Sequence, residues 1–89
     1  MPTIICTSRL QHVGPSTAET FSGSTVLEVI ARVADKYPLL PGYLLDDQGS
    51  VRQHVAIFVD GQSIPRQRVL LHKVNPDTEI YLMQALSGG

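Results

Sequence analysis

Apolar residues recur at Val26, Val29, Ile30, Val33, Ala34 and Tyr37, the i, i+3, i+4, i+7, i+8, i+11 spacing that gathers one stripe on a helix. Thr25 followed by Glu28 has capping-box spacing, in which the Thr hydroxyl accepts from the Glu28 amide and the Glu carboxylate reaches back. Pro38 cannot continue the helix and biases Tyr37 away from helical geometry. The pattern predicts a helix from Val26 to Lys36. On either side of it the chain changes to β-favouring runs. Thr3 to Gln11 opens with Ile4, Ile5, Cys6 and Thr7 and reads as a strand. Gly14-Pro15-Ser16 reads as a turn, with a return strand over Thr17 to Ser22. Val51 to Val59 resumes strand character and stops at Asp60-Gly61, a tight-turn signal. Gln62 to Ile64 follows as a short strand, Asn75-Pro76-Asp77 as a turn, and Glu79 to Ala85 as the last strand. Leu39 to Ser50 holds Pro41, Gly42, Asp46, Asp47 and Gly49 and reads as a loop, with one short turn of helix at Tyr43 to Leu45.

The order is strand, strand, helix, strand, short strand, strand. One helix can cover only one face of a sheet, so the expected fold is a two-layer α+β domain. Its mixed sheet of four to five strands packs on the one main helix, with the first and last strands paired at its centre. If the helix covers Ile57, Val59, Ile80 and Leu82, alternation turns Phe58, Tyr81 and Met83 to the opposite face. Two readings of that face stay open: a docking surface, or a second small core beneath the long loop.

Composition narrows the functions. The chain has 89 residues, enough for one domain. Seven basic and eight acidic residues give a net charge of −1, without the basic excess that nucleic acid or an anionic membrane demands. No apolar run approaches the roughly 20 residues of a membrane span. The start, Met1-Pro2-Thr3-Ile4, lacks the features of a secretory signal, so a cytoplasmic location is expected. Cys6 is the one cysteine. It sits among apolar strand neighbours and reads as a small buried hydrophobe, in preference to a persulfide-carrying nucleophile. His12, His54 and His72 show no metal-ligand spacing. Asp46-Asp47 lacks the twelve-position calcium pattern, and no serine has nucleophile-elbow context. No metal site is expected, and no bound cofactor.

The chain closes on Gly88-Gly89. At a glycine frequency of about 7%, two terminal glycines fall together by chance in roughly 0.5% of chains. The ending has company: Gly23-Ser24-Thr25-Val26 leading into the helix, Tyr37-Pro38 closing it, Ile57-Phe58-Val59-Asp60-Gly61, Asp77 ahead of the last strand, and Ala85-Leu86-Ser87-Gly88-Gly89. In that order and spacing the chain resembles the ubiquitin-like sulfur carriers of the MoaD/ThiS family over nearly its whole length. The resemblance implies a β-grasp fold, a sheet curled around one helix, over residues 1–85, with residues 86–89 as a flexible diglycine tail. Two departures stand out. Gln84 occupies a position where many members have proline, and the Leu39 to Gln53 segment makes the chain longer than the thiamine carriers. The length favours a molybdopterin-type or cysteine-pathway-type carrier.

The resemblance also implies the chemistry. A carboxylate is a poor electrophile, so a ubiquitin-activating-type adenylating enzyme condenses the Gly89 carboxylate with ATP, using Mg²⁺. A sulfur donor then displaces AMP, and the resulting thiocarboxylate passes sulfur to a downstream synthase. Four extended residues, Leu86 to Gly89, reach roughly 13 Å into a partner, and Gly88 and Gly89 let a narrow channel close on bare backbone. On this reading the carrier is no enzyme. Its working positions are Gly89 and Gly88, with Phe58, Tyr81, Met83, Leu86 and Ser87 meeting partners. The alternative is a protein modifier, joined to lysines through Gly89.

Overall fold

The computed structural model describes residues 1–84. Strand β1 (Thr3–Cys6) is followed by a 3-10 turn at Ser8–Leu10, and β2 (Glu19–Thr20) returns beside β1. Helix α1 (Val26–Lys36) and the short α2 (Leu40–Leu44) come next, then β3 (Val55–Val59), β4 (Gln62–Ser63), a second 3-10 turn at Val69–Leu71, and β5 (Glu79–Gln84). The five strands form one sheet in the order β2-β1-β5-β3-β4. β1 and β5 run parallel, from Thr3 beside Glu79 to Cys6 beside Leu82. The other neighbours are antiparallel. The expected central pairing of the first and last strands is therefore present.

Helix α1 has the predicted limits because its end signals are local. The Glu28 amide donates to Thr25 Oγ1 at 3.2 Å. The Glu28 carboxylate reaches one residue further back than a capping box requires, accepting from both the amide and the hydroxyl of Ser24. These bonds hold its carboxyl below the usual glutamate range. The chain can pass this close because residue 23 is glycine: its φ is +151°, and a Cβ there would lie 2.7 Å from the Val29 amide nitrogen. At the other end the Tyr37 amide closes the last turn on the Val33 carbonyl before Pro38. Asp60 and Gly61 both have positive φ, 50° and 82°, the primed geometry that joins β3 to β4 tightly.

Several sequence expectations need correction. The first strand stops at Cys6, where the chain folds into the Ser8–Leu10 turn instead of continuing to Gln11, and buries Leu10 completely. The return strand shrinks to Glu19–Thr20. In the long loop the helical turn lies at Leu40–Leu44, upstream of Tyr43–Leu45, because Pro41 sits acceptably in a first turn. Val51 belongs to an isolated bridge with Leu45, so the strand proper starts at Val55. The short strand keeps Gln62 and Ser63, without Ile64. Ala85, expected to end the last strand, lies outside the described residues.

The core lies between α1 and the inner sheet face. Val26, Val29 and Val33 pack there with Ile4, Ile57, Ile80 and Leu82. Leu40, Leu44 and Val51 join this same cluster, each at most 1% exposed. The long loop therefore extends the main core and builds no second one over the outer face.

Candidate functional site

Strict alternation along β5 creates the candidate site. Ile80 and Leu82 are 0% exposed, while Tyr81 and Met83 are 36% and 37% exposed. Pairing extends the pattern sideways. Tyr81 stands between Ile5 of β1 and Phe58 of β3, and Met83 stands beside Ala56 of β3. The result is a shallow apolar surface on the uncovered face, with an open hollow of about 240 Å³ lined by Phe58, Gly61, Tyr81 and Met83. Phe58 is half-buried by its neighbours. The structure thus brings together three of the anticipated residues, Phe58, Tyr81 and Met83. The other four, Leu86, Ser87, Gly88 and Gly89, lie outside the described residues.

Ile5, Ala56 and Gly61 also belong to this surface. Both Ile4 and Ile5 are apolar, so composition alone does not say which faces out. The parallel register sets Ile5 beside Tyr81 and Ile4 beside the buried Ile80. Gly61 was legible as a turn residue, and its place at the edge of the hollow follows from the hairpin.

Several other chemistry-bearing side chains have structural tasks or surroundings that argue against reactivity. Cys6 is buried, and desolvation pushes its thiol up to about 11, the opposite of what a nucleophilic thiolate needs. His12 meets the Tyr43 ring edge-on at 5.4 Å. Among the described residues no three of His, Cys, Asp and Glu converge to hold a metal. Glu19 on β2 accepts from Lys36 Nζ and from the Tyr37 hydroxyl at 2.8 Å, tying the sheet edge to the end of α1. A larger hollow, about 310 Å³, lies over Ser22, Gly23, Glu28, Ala31 and Arg32. One Glu28 oxygen there already serves the helix cap, so size does not make this hollow the better site. No helix among the described residues is long and apolar enough to cross a membrane.

The arrangement can do one thing well. It offers an apolar platform whose central strand, β5, ends at Gln84, next in sequence to residues 85–89. Sequence and structural comparisons bear on the family and the fold. The ThiS family model matches residues 9–89. A chain of the BexX/CysO complex from Amycolatopsis orientalis is 19% identical, with 100% of each chain covered and a TM-score of 0.85. CysO from Mycobacterium tuberculosis is 19% identical over 97% of this chain and 100% of its own, at 0.83. Small archaeal modifier protein 1 from Methanosarcina acetivorans is 21% identical over 99% of this chain and 95% of its own, at 0.82. No curated protein sequence gives a significant match. The five-stranded mixed sheet on one main helix is the ubiquitin-like β-grasp fold that the resemblance implied.

Proposed function

The chain belongs to the ThiS family of ubiquitin-like sulfur carriers, and from that premise we propose that Gly89 is activated by a partner enzyme and loaded with sulfur. The Gly89 carboxylate attacks the α-phosphorus of ATP, pyrophosphate leaves, and an acyl-adenylate forms. Hydrosulfide supplied by a sulfur donor attacks the acyl carbon, AMP leaves, and the terminus ends as a thiocarboxylate for transfer to a sulfur-accepting synthase. ATP and Mg²⁺ belong to the partner, where the metal neutralises triphosphate charge. Carriers of this family generally work with adenylating and sulfur-accepting enzymes and are generally non-catalytic. We assign this chain the same role, as co-substrate or non-catalytic subunit in the cytoplasm.

The observation that carries the reading is the apolar platform formed by the exposed Tyr81 and Met83 of β5, the strand that precedes residues 85–89, and the half-buried Phe58 beside them on β3. Docking there would aim residues 85–89 at the partner's ATP site. A mass measurement tests it. Incubated with its adenylating enzyme, ATP, Mg²⁺ and a sulfur donor, the chain should gain the mass of one oxygen-to-sulfur exchange at Gly89. Deleting Gly89 should abolish the exchange, because the new terminus stops about 3.3 Å short. Gly88→Val should fail by obstructing the channel. Equal loading of intact and shortened chains would sink the proposal.

Similarity to small archaeal modifier protein 1 supports the second reading, an isopeptide bond from Gly89 to a target lysine. The two part at the product: a carrier accumulates as a thiocarboxylate, and a modifier appears on higher-mass conjugates.

A further inference from the structure

The platform is not symmetric along β5. Glu79 occupies the same side of the strand as Tyr81 and Met83, one alternation before Tyr81. Its amide donates to Asp60 Oδ1 at 2.9 Å, and Asp60 immediately precedes Gly61, which lines the hollow. Both residues are exposed. Neither joins an ion pair among the described residues, whereas Glu19 pairs with Lys36 and Asp35 with Arg32. At the other end of the strand, the paired positions Val55, Ala56, Met83 and Gln84 are all uncharged. One end of the platform is therefore marked by two carboxylates, and the chain leaves from the other.

That asymmetry answers a problem the apolar surface cannot. Burial of apolar area is non-directional, so the platform alone brings two proteins together without choosing which way β5 points. A reversed complex would bury much of the same surface and aim the terminus away from ATP. Glu79 and Gln84 are separated by five residue steps, about 17 Å, roughly twice the Debye length at physiological salt. Charges at one end are thus sensed separately from events at the other.

We propose that Asp60 and Glu79 set the direction of docking, and that the adenylating enzyme presents lysine or arginine side chains to this end of the platform. This rests on the docking reading above. Opposite charge at the far end steers the encounter and penalises the reversed arrangement, which leaves residues 85–89 as the end that enters the active site.

The test uses the full chain and the ubiquitin-activating-type adenylating enzyme of the same organism. Asp60→Asn with Glu79→Gln removes both charges and keeps the turn. Asn tolerates a positive φ, and its side-chain oxygen can still accept the residue 79 amide. At low salt the double variant should associate about tenfold more slowly, and Glu79→Lys more slowly still. The gap to wild type should close as salt is raised. A double variant that associates as fast as wild type with the same salt slope overturns the proposal. Met83→Asp in the same assay separates the two ideas. If it weakens binding and the double variant does not, the orientation inference falls alone. If neither weakens binding, the docking reading falls with it.

Discussion

Leu82 and Met83 are neighbours in β5, yet one is sealed in the core and the other is 37% exposed. The same holds for Ile80 and Tyr81, and across the strand pair the buried Ile57 is followed by the half-buried Phe58. Both faces of the sheet are apolar at its centre. The inner one is covered by α1, α2 and the long loop, and the outer one meets solvent. Hydrophobicity alone therefore does not separate a core residue from an outer-face residue here. What separates them is which side of the sheet the chain returns to cover, so substitutions one position apart should fail in different assays.

The largest effect belongs to the inner face. Leu82→Ala should lower unfolding stability by about 2–5 kcal/mol, a large share of what a domain of this size possesses, and should be read by denaturant titration. If it costs less than an outer-face substitution, the assignment of faces is wrong. Met83→Asp is the counterpart. It should leave the unfolding midpoint nearly unchanged and weaken binding to the adenylating enzyme by roughly 30-fold, as for a buried hot spot. Unfolding of this variant at room temperature would place Met83 in the core.

Cys6→Ser sharpens the comparison from the inner side of β1. It puts a hydroxyl among apolar neighbours and should cost about 1–2 kcal/mol, while sulfur loading of the folded protein stays at the wild-type level. Loss of loading with the fold intact would revive a persulfide role. The smallest effect is expected at the edge. Lys36 first, and Tyr37 second, hold the Glu19 carboxyl below its ordinary 4.5. A depressed folded value means that this link stabilises fully above pH 4.5 and is lost as pH falls through the lower folded value. Glu19→Gln should accordingly flatten the acid side of the melting temperature against pH. An unchanged acid limb would show that the contact contributes nothing to stability.

The local features of this chain were legible from its residues. The α1 stripe, the Thr25 cap, the stop at Pro38 and the Asp60-Gly61 turn depend on neighbours within about four positions, where steric and hydrogen-bonding rules act directly. The alternation of Ile80, Tyr81, Leu82 and Met83 assigned opposite faces in advance, because side chains in a strand alternate whatever surrounds them. Tertiary structure decided the rest. Ile5 faces outward only because β1 lies parallel to β5 in one register, a pairing between residues more than seventy positions apart. Leu40, Leu44 and Val51 enter the main core because α2 and the long loop fold against α1, which no local pattern in a Pro- and Gly-rich segment announces. The Ser8–Leu10 and Val69–Leu71 turns exist to bury Leu10 and Val69, both 0% exposed, and a three-residue turn is too short to show a period. Local rules act between near neighbours along the chain, whereas the covered face, the register and the make-up of the outer apolar surface follow from contacts that exist only once distant segments have met.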